Sequence, residues 1–359
     1  MRSMDNLKEN YRNLKEKLSL KIDQSRLLTK PIDMLAYGTD ASFYRLIPKM
    51  VIKANDIDEV SYILSTCYQM DIPVTFRSAG TSLSGQAISD SVLIVAGMNW
   101  KKYQVKEDGD KITLQPGVIG AHANNILKPY QRKIGPDPAS INAAMIGGIA
   151  ANNASGMCCG TKQNSYQTLD SMKILFNDGT LLDTADKESR SSFEKTHKKL
   201  VNTLSDLSSK VKSNQELAQR IRDKFKMKNT TGFSLNALVD FEDPFEILQH
   251  LMIGSEGTLG FIAEITYKTV KEDPFKASSL IIFPDNESAC QAASLLKNEP
   301  VAAVELMDRA GLRSMEDADN VPSYLKELSS QACSLLVQTN ADSKEKLYQQ
   351  IDQITTSLD

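Results

Sequence analysis

From Ile134 to Gly160 the chain reads IGPDPASINAAMIGGIAANNASGMCCG, and thirteen of these residues are Gly, Ala or Ser. A stretch so poor in side-chain volume cannot fill a protein interior to its usual density. It makes sense if something large and flat occupies the missing volume. Gly147, Gly148 and Gly156 let backbone lie against a ring system, and Asn152 and Asn153 can satisfy ring carbonyls and nitrogens. Pro136 and Pro138 stiffen the entry. The competing reading, a tightly packed loop, accounts for less of the pattern. Of the 18 glycines, 11 lie between Gly80 and Gly160, and a further group, Gly254, Gly257 and Gly260, recurs every three residues. Close approach of backbone to a ligand is what such clustering serves.

Composition narrows the class of protein around that segment. The chain has 359 residues, enough for two or three domains at roughly 150 residues each. Its net charge of −3 and lack of a Lys/Arg run argue against a general nucleic-acid binder. Apolar runs such as Val92 to Met98 are too short to span a bilayer, and MRSMDNLKEN is too charged for a secretory leader. The 5 cysteines include no CxxC pair and make no disulfide framework. The reading is a cytoplasmic protein, with a peripheral place at the inner membrane face left open.

Periodicity gives the elements. Met4, Leu7, Tyr11, Leu14 and Leu18 form one apolar helical stripe. Strands are expected at 49–54, 73–78 and 91–97, with a helix from Ile57 to Cys67 capped by Asn55 or Asp56. EDGD at 107–110 and Asn177-Asp178-Gly179 read as hairpin turns. Residues 134–168 read as irregular, 186–228 as polar helix, 229–240 as loop, and 244–252 as helix. After Asp273-Pro274 the order strand, helix, strand, helix, strand, helix implies a separate α/β layer. The expected organisation is an N-terminal helix over 1–34, a main domain over 35–272 and a partial domain over 276–359.

Three segments carry chemistry. RSAGTSLSG, residues 77–85, follows a strand, and its small residues can turn successive N–H groups toward a pyrophosphate. Ser78, Thr81, Ser82 and Ser84 add hydroxyls and Arg77 adds a charge. It is neither a Walker A loop nor GxGxxG, because Gln86 follows Gly85. The second segment is 134–160. The third, GSEGTLG at 254–260, is by itself a turn signal in which Glu256 can fix the backbone.

Together, RSAGTSLSGQ, IGPDPAS…IGGIAANNASG and IGSEGTLGFIAEIT resemble the FAD-binding domain of the vanillyl-alcohol-oxidase, or PCMH, type. AYGTDASFYRLIPKMV at 36–51 is similar to the large D-lactate dehydrogenases that join this domain to iron–sulfur domains, near the glycolate oxidase D-subunit branch. The resemblance implies an α+β fold: a two-part PCMH-type FAD-binding domain, then a partial ferredoxin-like α/β cap. It implies that Arg77, Ser78, Ala79, Gly80, Thr81, Ser82 and Leu83, with Gly85 and Gln86, hold the FAD pyrophosphate. It places Asp137, Met145, Gly147, Gly148, Asn152, Asn153, Ser155 and Gly156 near the flavin and ribityl chain. Glu256, Gly257 and Ile262 fall on the adenine or ribityl side, and Asn229 and Thr230, in KNTTGF, on the substrate side. Thr81 stands where relatives with covalent flavin carry histidine, so FAD is expected to be non-covalent.

The function implied is oxidation of D-lactate or a similar D-2-hydroxy acid, with hydride passing to flavin N5. Electrons then leave through iron–sulfur centres, held in a longer parent protein, or through a quinone. Glycolate and 2-hydroxyglutarate are alternative substrates, and a flavin-binding electron-transfer fragment without turnover is a rival reading. The family's Gly-Asp-Gly-Asn-x-His segment does not occur, and its base and metal ligands are expected beyond residue 359. His122, His197 and His250 read as ordinary helix or surface histidines. Cys158 and Cys159 read as small fillers, and no metal site is expected.

Overall fold

The computed structural model describes residues 4–358. The chain forms two compact units that divide after Val270. In the first, strands Met50–Lys53, Val92–Val95 and Val74–Arg77 run parallel in that order, with Leu27–Leu28 antiparallel at the edge. MVIK and VLIV are buried along most of their length, as the inner strands of a covered parallel sheet must be. Helix Ile57–Gln69 crosses between two of them and starts where Asp56 accepts a hydrogen bond from Glu59 N–H. It buries Val60, Ile63, Leu64 and Cys67. Helix Met4–Leu18 delivers Leu14 and Leu18 to the same core; the side chains of Met4 and Leu7 lie outside the described residues.

A second sheet has five antiparallel strands in the order Tyr103–Lys106, Lys111–Leu114, Phe261–Lys268, Leu169–Leu175, Leu181–Asp183. Two hairpins thus flank one long later strand. EDGD and Asn177-Asp178-Gly179 make the turns, with φ of 50° at Asp108 and 88° at Gly179. Fully buried Trp100 links the two sheets: its ring meets Phe261 edge-on at 5.2 Å and its Nε1–H donates to Ala54 O.

Two stretches differ from the sequence reading. Residues 134–168 are not irregular throughout, because Ile146–Asn152 is a helix. Its two glycines lower helix propensity, but burial of Ile146, Ile149 and Ala150 overrides that. The loop at 229–240 ends in a short helix, Ala237–Asp240, whose Ala237, Leu238 and Val239 are buried. The polar stretch before it is three helices, Lys187–Thr196, Lys198–Ser213 and Gln215–Phe225.

The second unit is a three-stranded antiparallel sheet in the order Phe275–Phe283, Cys333–Ala341, Ala303–Met307. Cys333, Leu335 and Val337 point to one face, as alternate residues of a strand must. Helices Asn286–Leu296 and Lys344–Leu358 cover that face with Ala289, Ala292, Leu296 and Ile354. The expected α+β order, a flavin-type domain followed by an α/β layer, is what forms. Among the described residues no helix is long and apolar enough to cross a membrane.

Candidate functional site

A cleft of about 450 Å³ opens in the first unit. Its walls come from four places: Phe76 and the loop after it, the small-residue segment from Pro138 to Ser155, Lys228 to Thr231, and Glu256 with Gly257.

The first wall begins where strand Val74–Arg77 ends. Gly80 takes φ 71°, and a Cβ there would fall 2.7 Å from the Arg77 guanidinium. Only glycine fits that bend. Among the described residues, the backbone N–H groups of Ala79 to Leu83 donate to no protein acceptor. The Ser82 hydroxyl donates to Gln86 Oε1, which fixes the far end of the loop. Arg77 turns away from this wall. Its Nη1 donates to Tyr37 O at 3.3 Å and Thr39 O at 2.7 Å, bracing the 37–41 segment. Burial pushes its pKa down, against the pull of Asp40.

Helix Ile146–Asn152 is the second wall. A Cβ on Gly147 would sit 2.6 Å from Pro116, so that glycine is a packing requirement. A Cβ on Gly148 would meet nothing within 4 Å, so that glycine keeps the cleft itself clear. Asn152 Nδ2 donates to Glu256 Oε1 at 2.6 Å, and Glu256 N–H donates to Ala151 O at 2.9 Å. Burial pushes the Glu256 carboxyl pKa up, partly offset by the Asn152 amide. Glu256 has φ 53°, in the left-handed region, so backbone strain is accepted to aim this side chain at Asn152.

The cleft gathers Ser78, Ala79, Gly80, Thr81, Ser82, Leu83, Gln86, Met145, Gly147, Gly148, Asn152, Ser155, Glu256, Gly257 and Thr230. The other expected residues do not line it. Asp137 is a clip behind the wall: its carboxylate accepts N–H groups of Gly156 at 2.9 Å, Cys158 at 3.0 Å and Cys159 at 3.2 Å. Gly156 lies so close that a Cβ would be 1.9 Å from Asp137 O. Gly85 packs against Tyr44, and Ile262 is buried in the long strand. Asn153 and Asn229 line a separate polar cavity of about 20 Å³ with Asn164 and Asn236.

Residues that line the cleft without having been named for it include Ala144, Ala151 and Ala154, while Pro138 comes from the stiffened entry and Lys228 and Thr231 from KNTTGF. For the alanines the signal was the small-residue run itself. For Lys228 the signal was the resemblance of KNTTGF alone, since composition made it one more lysine in a lysine-rich stretch. None of the three histidines lines the cleft. His122 is exposed, His197 stacks on Phe193 at 4.1 Å, and His250 is buried against Phe241. No group of three His, Cys, Asp or Glu residues with metal-binding geometry occurs among the described residues. Burial pushes the Cys159 thiol up to about 11. Cys158 is half-buried and does not line the cleft.

The arrangement suits a dinucleotide flavin. A run of unclaimed N–H donors can meet a pyrophosphate, and an open, small-residue wall beside Gly148 can take a flat ring.

Comparison with known proteins agrees with that chemistry. Residues 48–185 match the model described as an FAD binding domain, so the class is a flavoprotein with FAD as cofactor. Residues 273–359 match the model described as the C-terminal domain of FAD linked oxidases. The chain thus carries two matched segments, an FAD binding domain and the C-terminal domain described for FAD linked oxidases. It is 26% identical over 290 residues to glycolate oxidase subunit GlcD of Escherichia coli (strain K12), covering 79% of this chain and 48% of that protein. It is 24% identical over 300 residues to D-2-hydroxyglutarate dehydrogenase of Haemophilus influenzae, covering 79% and 28%. To the mitochondrial D-lactate dehydrogenase (cytochrome) of Kluyveromyces lactis it is 25% identical over 272 residues, covering 73% and 37%. The chain thus spans half or less of the length of these relatives. Among solved structures, p-cresol methylhydroxylase with substrate bound superposes with TM-score 0.66 at 12% identity, covering 97% of this chain and 64% of that one. Alkyldihydroxyacetonephosphate synthase gives 0.66 at 13%, covering 96% and 59%. These two likenesses are of fold.

Proposed function

We propose that the chain is the flavin-holding part of an oxidoreductase that oxidises D-lactate or a similar D-2-hydroxy acid. The observation that carries the reading is one cleft lined both by Ala79 to Leu83, whose N–H groups have no protein acceptor among the described residues, and by the small-residue wall around Gly148. FAD, when bound, supplies the two-electron acceptor for a hydride. The chain's residues bind and orient it. Ala79 to Leu83 hold the pyrophosphate oxygens with backbone N–H groups, aided by the hydroxyls of Ser78 and Thr81. Gly148, Ala151 and Ser155 keep the wall low beside the rings, Gly147 lets that helix pack on Pro116, Met145 lines the wall next to them, and Glu256 holds the Asn152 amide in place. Thr230 stands on the substrate side, with Asn229 behind it. No histidine or cysteine lines the cleft, in keeping with non-covalent FAD.

The named substrates of the three curated relatives share a carboxylate beside a CH–OH carbon, which supports the substrate class. D-lactate is preferred on the AYGTDASFYRLIPKMV segment; glycolate and 2-hydroxyglutarate are the alternatives. The one carboxylate on the cleft wall among the described residues, Glu256, is tied to Asn152, so the base for the hydroxyl proton comes from outside this cleft. Electrons leave through an iron–sulfur domain or a quinone. The same lack of a base favours a second reading, a flavin-binding module without turnover of its own.

The test is the visible spectrum of the purified full chain, followed by acid precipitation. A flavin spectrum that moves wholly to the supernatant supports non-covalent FAD. Anaerobic bleaching by D-lactate, glycolate or D-2-hydroxyglutarate then identifies the substrate, and a stable spectrum under all three selects the module reading. A colourless chain that takes up no added FAD sinks both.

A further inference from the structure

A cleft that receives two phosphates and faces a hydroxy acid calls for positive charge, yet Arg77, the cation of the 77–85 loop, is committed to Tyr37 O and Thr39 O. Along residues 227–231 the chain forms a thin partition. Lys228 and Thr230 line the cleft, while Met227 and Asn229 line the small polar cavity behind it. Thr231 lines the cleft as well, so Lys228, Thr230 and Thr231 share the cleft side of this segment. The partition is anchored from behind, where Asn153 Nδ2 donates to Asn229 O at 3.5 Å. Among the described residues, Lys228 is the one cationic residue on the cleft wall. Lys226, two residues away, is held by Asp223 at 2.7 Å, whereas Lys228 pairs with no carboxylate among the described residues and is free to serve the cleft.

We propose that Lys228 is the cation of this cleft and binds an anionic oxygen, either of the FAD pyrophosphate or of the substrate carboxylate. The inference rests on the FAD reading above. A lysine suits the task because its ammonium is a compact point charge on a flexible stem, able to follow either oxygen. It takes over the charge that Arg77 withholds. With the cleft's one carboxylate bound to Asn152, no protein anion on the wall competes for it.

The experiment compares wild type, Lys228→Gln and Lys228→Arg, with circular dichroism to confirm that each is folded. Apo protein is titrated with FAD and, separately, with riboflavin, which lacks the phosphates. Holoprotein is titrated with oxalate, a carboxylate probe, through the flavin absorbance. Loss of a charge-assisted hydrogen bond weakens binding by about 10-fold to 100-fold. If the phosphate is the partner, Lys228→Gln loses that much FAD affinity, keeps its riboflavin affinity, and Lys228→Arg restores most of the loss. If the carboxylate is the partner, FAD affinity holds and oxalate affinity falls by that factor. A Lys228→Gln protein that binds FAD and oxalate like wild type overturns the inference and leaves the FAD reading standing. A wild-type chain that binds no flavin overturns both.

Discussion

His250 makes the stability of the first unit depend on pH in a way that can be isolated. It is 4% exposed, its Nδ1–H donates to Glu246 O at 2.7 Å, and its ring stacks on Phe241 at 4.1 Å with Tyr166 edge-on at 4.9 Å. Burial, opposed by the Glu246 carbonyl and Asp240, pushes its pKa down to about 4. An unfolded chain takes up that proton near pH 6.5. Stability from this group is therefore complete above pH 6.5 and is lost as pH falls toward 4, because the unfolded state binds the proton first. The gap of roughly 2.5 pH units corresponds to about 3 kcal/mol across that window. Other groups titrate there too, including the Glu246 carboxyl, whose pKa burial raises. The useful quantity is thus the difference between wild type and His250→Phe, an aromatic that keeps the stack and cannot charge. Urea unfolding of both at pH 7.5 and pH 4.5 should show wild type losing more stability than the variant, by a large part of that figure. Equal losses would refute the argument that His250 is held neutral by burial.

Other substitutions separate the parts of the cleft. Gly148→Leu places a side chain in space no protein atom uses, so the apo Tm should stay within about 2 °C while FAD affinity falls at least about ten-fold by titration. Asp137→Ala strands three backbone N–H groups and should cost about 3 kcal/mol in urea unfolding, with faster proteolysis near Gly156. Tyr166→Phe removes the hydroxyl that donates to Asp240 at 2.7 Å and should cost about 1 kcal/mol by the same assay. Of the buried thiols, Cys67 is pushed up to about 12 and Cys159 to about 11, so a thiol reagent at pH 8 should label exposed Cys290 well before either in the native chain.

How much was legible follows from what each feature depends on. Turns and caps are local, so EDGD, Asn177-Asp178-Gly179 and the Asp56 cap could be read directly, and the structure forms all three. The cofactor cleft was legible because close approach needs small residues in runs, and runs are visible. Direction was not. Arg77 sits in the loop as expected, but its guanidinium folds under Gly80 to reach carbonyls some forty residues earlier, and nothing in RSAGTSLSG encodes that. The resemblance placed Asp137 near the flavin; its carboxylate accepts the N–H groups of Gly156, Cys158 and Cys159 within the same segment. Ile146–Asn152 looked irregular because Gly-Gly argues against a helix, and only the packing of Ile146 and Ile149 decides otherwise. Lys228 was legible only through the resemblance of KNTTGF, because charge and periodicity do not separate it from the lysines before it.

The strand order of the second sheet bears on how the chain is made. Lys111 pairs with Lys268 and Leu169 with Tyr267, so both hairpins wait for one strand that leaves the ribosome long after them. Until Phe261–Lys268 arrives, each hairpin presents a bare edge, and bare edges recruit other chains. Contacts this distant in sequence also form slowly. A nascent chain stalled before Gly260 would hold the whole 77–85 loop and the small-residue helix yet lack the strand that joins the two hairpins. The loop and helix that line the cleft are thus made well before the strand that joins the two hairpins, and the chain stays open to edge-to-edge pairing until that strand is in place.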